Sequence, residues 1–221
     1  MENIKVEDYI KAIYQVSSTA ESGTATTGEV AEKLSVTPGS VTTMLQRLAE
    51  SGLVNYQSHR GTSLSPSGEK LALNVLRRHR LIELFLVKTL GLSWDEIHVE
   101  AENIEHAVSD ALIARIDAFL GYPPCDPHGD PIPNADGSFR STPGQPLSEA
   151  PAGFVFTIER VLDQSPDFLR YLTEGHLLIG TQATVIENHR SAGVITVRIG
   201  ERDLSMSREV GRNLLVREVP S

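Results

Sequence analysis

The 221-residue sequence predicts a mainly α fold with β structure, made of an N-terminal winged helix-turn-helix, a helical middle region and a C-terminal small β-barrel. Three observations predict it: capped helices followed by two strand-like runs, then apolar residues at helical spacing, then short β-branched runs separated by glycine turns. A stretch rich in Pro, Gly, Ser and Asp, residues 122–153, precedes the β-branched runs. The predicted domains are residues 1–73, 74–140 and 154–221, with a linker at 141–153.

Two capping signals predict the helix-turn-helix. Thr26 and Glu29 have the spacing of a capping box, and apolar residues follow at helical intervals. After a short turn, Thr37 is expected to be the N-cap of a second helix with Pro38 at its first position, where the missing N–H costs nothing. Gly52 is expected to end this helix. Its apolar face consists of Val41, Leu45 and Leu48.

A two-stranded wing is expected next, because residues 53–56 and 62–64 flank Arg60 and Gly61. The exposed face of the second helix is small and polar, which lets a helix N-terminus approach a DNA groove and bond phosphates and base edges. The alternatives are a plain surface helix of a protein-interaction domain and a merely solvated arginine at the wing. The candidate DNA-binding residues are Thr37, Pro38, Gly39, Ser40, Thr42, Thr43, Gln46 and Arg60.

Histidines and carboxylates are concentrated in the middle region. His79 and Glu83 are four residues apart on a predicted helix that runs to Gly91, so they share a face. Ser93 and Glu96 form another capping pair, and imidazoles and carboxylates on consecutive helices are typical of a metal site in a helical bundle. For each pair alone, the alternative is a solvated helix face. The helix after the capping pair is expected to carry His98, Glu102, Glu105 and His106 on one side.

Composition narrows the class of protein. A net charge of −9 argues against a constitutive nucleic-acid binder, which is usually basic, unless a bound cation neutralises a carboxylate cluster. The single cysteine, Cys125, leaves no disulfide framework. No apolar run is long enough to span a bilayer and no signal peptide opens the chain, so we expect a cytoplasmic protein without a membrane partner.

The sequence resembles the diphtheria-toxin-repressor family of iron- and manganese-dependent repressors, in its manganese-type, three-domain form. The resemblance implies a helical dimerisation domain, an SH3-like C-terminal domain, a homodimer and a palindromic double-stranded DNA operator. It also implies a transcriptional repressor of metal homeostasis rather than an enzyme. The stretches that carry it are residues 7–14, 36–42, 78–83, 102–106 and 127–133.

The resemblance implies two metal sites. The activating site would use Asp8, Glu102, Glu105 and His106, and the second site would use His79, Glu83 and His98. Iron-type members carry methionine and cysteine at the positions of Asp8 and Glu102. The hard carboxylates found here favour Mn²⁺, with Fe²⁺, Co²⁺, Ni²⁺, Zn²⁺ and Cd²⁺ as alternatives in vitro.

The sequence departs from the family pattern at Lys11, and the second site lacks a ligand. Two-domain manganese regulators carry a glutamate where Lys11 stands, and an ammonium cannot ligate, so two separated sites are expected instead of a paired-metal cluster. The second site needs a further ligand, for which Asp167 is preferred over Gln164, three residues earlier, because a carboxylate neutralises the cation. Asp126 and His128 are further candidates, and the alternative for Asp167 is a helix cap.

The function predicted from these observations is a metal-activated repressor in which the cation fixes the DNA-binding parts of a dimer. A winged-helix regulator that senses a small organic ligand is the main alternative. A metallo-enzyme is disfavoured, because the sequence has no His-Glu-x-x-His motif, nucleophile elbow or phosphate-binding loop.

Overall fold

The computed structural model describes residues 2–57, 60–139 and 144–220, with side chains from Lys5 onward. The chain divides into two compact units. The first contains Met1–His79, Glu105–Val108 and Pro133–Ser138, and the second contains Arg80–Ile104, Ser109–Ile132 and Phe139–Ser221. No described helix is both long and apolar enough to cross a membrane. Residues 141–143 of the predicted linker lie outside the described residues.

The first unit contains the helix-turn-helix and wing that the sequence predicts. The side chain of Thr26 accepts from the N–H of Glu29, whose carboxylate accepts from the N–H of Thr26, so the capping box is confirmed. Thr37 caps the next helix by accepting from the N–H of Ser40, with Pro38 in the first turn. The elements are α1 (Glu2–Thr19), α2 (Thr27–Lys33), α3 (Pro38–Glu50), β1 (Val54–Gln57), antiparallel β2 (Gly61–Leu64) and the start of α4 (Pro66–Phe85).

The core of the first unit is formed by the apolar faces of α1 and α3. Ile10 and Ile13 from α1 pack with Val41, Leu45 and Leu48 from α3, and these five side chains are almost fully buried. Burial of this area is the main favourable contribution to the stability of the unit. It also fixes α1, which carries the candidate ligand Asp8, against α3.

The helical part of the second unit departs from the sequence prediction at one point. After α4, a π-helical turn (Leu86–Leu90) ends at Gly91 with φ +68°, as expected for a helix C-terminus. The next helix, α5, spans only Ile97–Ile104, so Glu105 and His106 lie in the following turn rather than on one continuous helix. Ser109 then caps α6 (Asp110–Phe119). Buried contacts of Glu105 with Lys11 and His79, which are distant in the sequence, account for the end of α5 at Ile104.

The C-terminal domain is a six-stranded antiparallel sheet with two short helices. The elements are β3 (Gln145–Pro146), a 3-10 turn (Leu147–Glu149), β4 (Val155–Val161), α7 (Pro166–Glu174), β5 (Gln182–His189), β6 (Val194–Ile199), β7 (Arg202–Ser207), α8 (Arg208–Arg212) and β8 (Leu214–Glu218). The strand order is β3-β8-β4-β5-β6-β7, around a core that includes Phe156, Ile158, Val185, Val197 and Val216. The sequence predicted the small β domain from its β-branched runs but did not give the bounds of all its strands and helices.

The irregular segment after α6 contains an ordered loop, residues 124–132. A backbone bridge joins Cys125 to Pro131, and the N–H of Ile132 donates to the carbonyl of Pro124 at 2.9 Å. Gly129 has φ +86°, and a Cβ there would lie 2.0 Å from the carbonyl oxygen of Glu159, so this position requires glycine. The 124–132 loop therefore packs on the C-terminal domain.

Candidate metal centre

Three ligand-type side chains meet in the first unit, and we call them the first cluster. Asp8 lies on α1, while Glu105 and His106 lie in the turn after α5. Nε2 of His106 is 2.8 Å from Oδ1 of Asp8 and 3.3 Å from Oε1 of Glu105. One ligand atom from each residue lies within 4.8 Å of the others. Two carboxylate oxygens that face one imidazole nitrogen fit a proton or a metal cation between them.

The imidazole of His106 is oriented by Glu7 on α1. Its Nδ1 is 2.7 Å from Oε2 of Glu7, and because a carboxylate accepts, Nδ1 carries the proton. A neutral ring with this tautomer has its lone pair on Nε2, where a cation held between Nε2, Asp8 and Glu105 could use it. Metal-binding histidines commonly have such a second contact, which fixes the tautomer. Sequence analysis missed Glu7, because no local spacing links it to a residue 99 positions away.

Glu105 is buried between two donors. Nζ of Lys11 lies 2.6 Å from Oε1, and Nδ1 of His79 lies 2.6 Å from Oε2. Burial acts to raise the pKa of Glu105, but the hydrogen bonds and charges of His79 and Lys11 outweigh it and lower the pKa. Glu105 is therefore held as a carboxylate, the form that ligates a cation. The Lys11 ammonium cannot ligate a cation, and separated metal sites stay a prediction.

The second unit contains a second cluster, formed by Glu83 on α4 and by Asp126 and His128 in the 124–132 loop. All three residues are buried, and one ligand atom from each lies within 4.8 Å of the others. Nδ1 of His128 is 4.0 Å from Oε2 of Glu83. The second cluster thus combines a predicted second-site ligand with the two loop residues that the sequence offered as further candidates.

Trp94 orients the imidazole of His128. Nε2 of His128 is 2.8 Å from the carbonyl oxygen of Trp94 and so carries the proton, and the two rings stack with centroids 5.9 Å apart. Nδ1 therefore carries the lone pair, and within the described part of the chain this buried atom has no hydrogen-bond partner. A buried lone pair beside two carboxylates fits a cation.

Asp126 is nearly inaccessible to solvent, at 4% exposure. Burial raises its pKa well above the ordinary value, the neighbouring charges of Asp130 and Glu83 raise it further, and Arg80 acts in the opposite direction. One oxygen accepts backbone N–H bonds from His128 and Asp130 at 2.8 and 3.0 Å. A divalent cation would offset the repulsion among these carboxylates, so the donor set fits a metal ion.

The other candidate ligands have the following positions. His98 and Glu102 lie on α5, with Nε2 of His98 3.7 Å from Oε1 of Glu102 and Nδ1 3.5 Å from Oε1 of Glu83. The sets that join Glu102 to the first cluster, and His79 to Glu83 and His98, combine residues of both units. Those sets stay predictions.

Asp167 and Gln164, the sequence candidates for the closing ligand of the second site, both have other partners in the structure. Asp167 is in the first turn of α7 with its side chain 96% exposed, and its Oδ1 accepts from Arg170 at 2.5 Å. Gln164 precedes Ser165, the N-cap of α7, so the two residues do not share a helical face as expected. The side-chain amide of Gln164 instead donates to Asp130 at 3.2 Å. The ligand role of Asp167 stays a prediction.

The candidate DNA-binding residues lie on one side of the first unit. Ser40 and Gln46 are exposed on α3, and Arg60 is exposed at the wing. The hydroxyls of Thr42 and Thr43 donate to α3 carbonyls and keep their lone pairs for other donors. A cleft of about 490 Å³ is lined by residues of α2, α3 and the wing. The lining residues that were not among the candidate DNA-binding residues are Thr26, Thr27, Gly28, Tyr56, Gln57 and Gly61.

Comparison with known families agrees with this organisation. A family described as the N-terminal DNA-binding domain of iron-dependent repressors matches residues 3–62. A second, described as the metal-binding and dimerisation domain of iron-dependent repressors, matches residues 65–134. A FeoA domain matches residues 145–218.

Relatives and solved structures extend the comparison. The chain is 41% identical over 111 residues to the transcriptional regulator MntR of Lysinibacillus sphaericus, covering 50% of this chain and 78% of MntR. It is 28% identical to the iron-dependent repressor IdeR of Mycobacterium leprae, over 96% of each chain. A manganese-dependent transcriptional repressor in complex with manganese has a TM-score of 0.86 and 37% identity, covering 97% of this chain and 100% of that one.

These matches are similar to the chain in its DNA-binding, metal-binding and β-sheet domains, and the fold expected from the sequence is confirmed. The likeness to DNA-binding repressors also agrees with the expectation that the chain is not an enzyme. The chain belongs to the diphtheria-toxin-repressor family of metal-dependent transcriptional repressors.

Proposed function

We propose that this repressor is activated by Mn²⁺ and binds a palindromic operator as a homodimer. The observation that supports the metal assignment is the donor set of the first cluster, which joins the carboxylates of Asp8 and Glu105 to an oriented imidazole of His106. Hard oxygen donors suit Mn²⁺ better than sites that contain sulfur. Fe²⁺, Co²⁺, Ni²⁺, Zn²⁺ and Cd²⁺ are the alternatives to compare in vitro.

The first cluster would couple metal binding to the DNA-binding helices. When bound, the cation supplies positive charge and fixed coordination directions. Asp8 lies on α1, whose Ile10 and Ile13 pack in one core with Val41 and Leu45 of α3. A constraint on Asp8 is therefore passed to α3 through packed side chains, and the cation favours whichever state of the repressor holds its ligands best. We also propose Glu102 as a ligand of this site, as the family resemblance implies.

The DNA interface would be the N-terminal end of α3 together with the wing. Ser40 and Thr42 would approach base edges or phosphates, and Arg60 would pair with a phosphate. The cleft between α3 and the wing would follow the sugar-phosphate backbone. Because its ligand is chromosomal DNA, we expect the protein to act in the cytoplasm.

Large apolar side chains in the helical part of the second unit support the homodimer. Leu90, Val99, Leu112, Phe119 and Tyr122 are between 49% and 70% exposed. Exposed apolar groups of this size commonly mark protein interfaces. These residues lie in the region that matches a dimerisation domain. A two-fold dimer would present two copies of α3 to two half-sites of a palindrome.

We propose that the second cluster, Glu83 with Asp126 and His128, is a second metal site. The buried lone pair of His128 and the grouping of one ligand atom from each of the three buried residues within 4.8 Å support a cation there. His79 and His98 remain proposed ligands of the same site from the family resemblance. Asp167 and Gln164 remain the sequence-based alternatives for its closing ligand, although their observed partners favour the loop residues.

The proposal is tested by following operator binding during metal titration. Mn²⁺ should convert weak binding into tight binding to a palindrome, chelation should reverse it, and log affinity should fall steeply with log salt. The double substitution Ser40→Glu with Thr42→Glu should remove operator binding and leave Mn²⁺ affinity unchanged. Equal operator affinity with and without a chelator would contradict metal activation and favour a regulator that senses an organic ligand.

A further inference from the structure

Asp130 in the 124–132 loop contacts side chains from two different parts of the second unit. Its Oδ2 is 3.1 Å from Nη2 of Arg80 on α4, and its Oδ1 is 2.5 Å from Nε of Arg160 on β4. The amide of Gln164, just after β4, donates to Oδ2 at 3.2 Å. One carboxylate therefore joins the helical region to the C-terminal domain through three hydrogen bonds, two of them charge-assisted.

Backbone contacts surround this carboxylate. Nη1 of Arg80 donates to the carbonyl of Pro131 at 2.5 Å, and the N–H of Val161 on β4 donates to the carbonyl of His128 at 2.9 Å. The side chains of Asp130 and Arg80 are 14% and 11% exposed. Ion pairs with this degree of burial are screened by solvent much less than surface pairs. The contact is therefore a partly buried polar interface.

A second contact lies beside it, between the turn before α5 and helix α7. The indole N–H of Trp94 donates to Oγ1 of Thr173 at 2.9 Å, and Arg170 pairs with Asp95 at 3.2 Å. The Trp94 ring also packs against the apolar core of the C-terminal domain. The domain thus meets the helical region through polar and apolar contacts made by the protein's own atoms.

We propose that Asp130 anchors the C-terminal domain to α4 independently of metal, so that the domain is already docked in the metal-free repressor. The alternative is that a metal ligand from the C-terminal domain docks that domain only when the cation binds. In the proposed arrangement, Asp130 is the shared carboxylate partner of Arg80 on α4 and Arg160 on β4, and its loss removes both of these ion pairs. The proposal does not depend on which cation activates the repressor.

Hydrogen exchange at the amide of Val161 tests the anchor, because this N–H is protected by the loop carbonyl of His128. In the full-length wild-type protein, Val161 should already be protected in chelator. Asp130→Ala should speed its exchange by at least about tenfold in chelator, while Val197 inside the sheet keeps its rate. Exchange of wild-type Val161 in chelator that is as fast as in Asp130→Ala would overturn metal-independent docking.

Two further variants complete the experiment. Asp203→Ala is the matched control, because Asp203 forms an exposed two-bond pair with Arg198 within the same sheet and does not touch the loop. Arg160→Ala removes the other half of the anchor at a side chain that is 32% exposed, so it decides the question if Asp130→Ala fails to fold. Exchange at Val161 that is the same in Arg160→Ala as in Asp203→Ala would rule out the anchor.

Discussion

The two metal-ligand clusters place buried carboxylates in opposite electrostatic surroundings. In the first, Lys11 and His79 each lie 2.6 Å from an oxygen of Glu105 and lower its pKa despite its burial. In the second, burial raises the pKa of Asp126, other carboxylates raise it further, and Nε of Arg80 is 3.5 Å away. The protein therefore supplies the charge that keeps Glu105 ionised, whereas an ionised Asp126 would be stabilised by an external cation.

This difference indicates different roles for the metal. In the first cluster, a cation would join a network in which Glu105 already has cationic or donor partners, so its main effect would be positional. In the second cluster, a cation would remove a repulsion that the fold otherwise tolerates, so its main effect would be on stability. Substitutions that act on one cluster at a time test whether the metal has these different roles.

The largest expected effect is on DNA binding. Glu105→Ala and His106→Ala, like Asp8→Ala, should each weaken Mn²⁺-dependent operator binding by more than about 100-fold, because a ligand and its charge are lost together. Fluorescence anisotropy with labelled operator measures this. Glu100→Ala, an exposed carboxylate on α5, is the control and should bind normally. A normal Mn²⁺ response in the three site variants would show that the activating site lies elsewhere.

An intermediate effect is expected on the number of metal ions bound. His128→Ala and Asp126→Ala should each weaken one of two Mn²⁺ binding events by about 10–100-fold and leave the other intact. Asp167→Ala should retain both, since its carboxylate is exposed and paired with Arg170. Calorimetric titration distinguishes these results. Loss of one event in Asp167→Ala alone would instead support the ligand preferred from the sequence.

The smallest expected effect is on the stability of the metal-free protein, where the two clusters should respond differently. Glu105→Gln should destabilise the protein by about 1–2 kcal/mol, because the buried Lys11 ammonium loses its charged partner. Asp126→Asn should change stability by less than about 1 kcal/mol, because a neutral amide avoids the cost of a buried charge and keeps an oxygen for the loop N–H groups. Urea unfolding in chelator measures both. Equal destabilisation would remove the proposed contrast.

Local sequence patterns predicted the local structure well. The capping box at Thr26 and Glu29 and the N-cap at Thr37 formed as expected, because each depends on atoms within one turn of helix. The prediction that one helix continues through Glu105 was wrong beyond Ile104. There, contacts to Lys11 and His79, 94 and 26 residues away, override the helical periodicity. Sequence spacing contains no information about such partners.

For the candidate sites, the sequence predicted which residues are of a metal-ligand type. It could not predict which of them meet, because that depends on the tertiary structure. Glu7 and Trp94, which fix the tautomers of His106 and His128, carry no local signal. Gln164 was expected on a helix, yet Pro166 begins that helix because its ring is tolerated only in the first turn.

Trp94 also gives the protein an optical reporter. It is the only tryptophan in the chain, and its ring stacks on His128 while its indole N–H bonds Thr173. Indole emission responds to its immediate surroundings, so unlabelled protein should change its intrinsic fluorescence when the imidazole gains a cation. A shift in emission wavelength would accompany release of α7. One natural chromophore thus reports on both the second cluster and the attachment of the C-terminal domain.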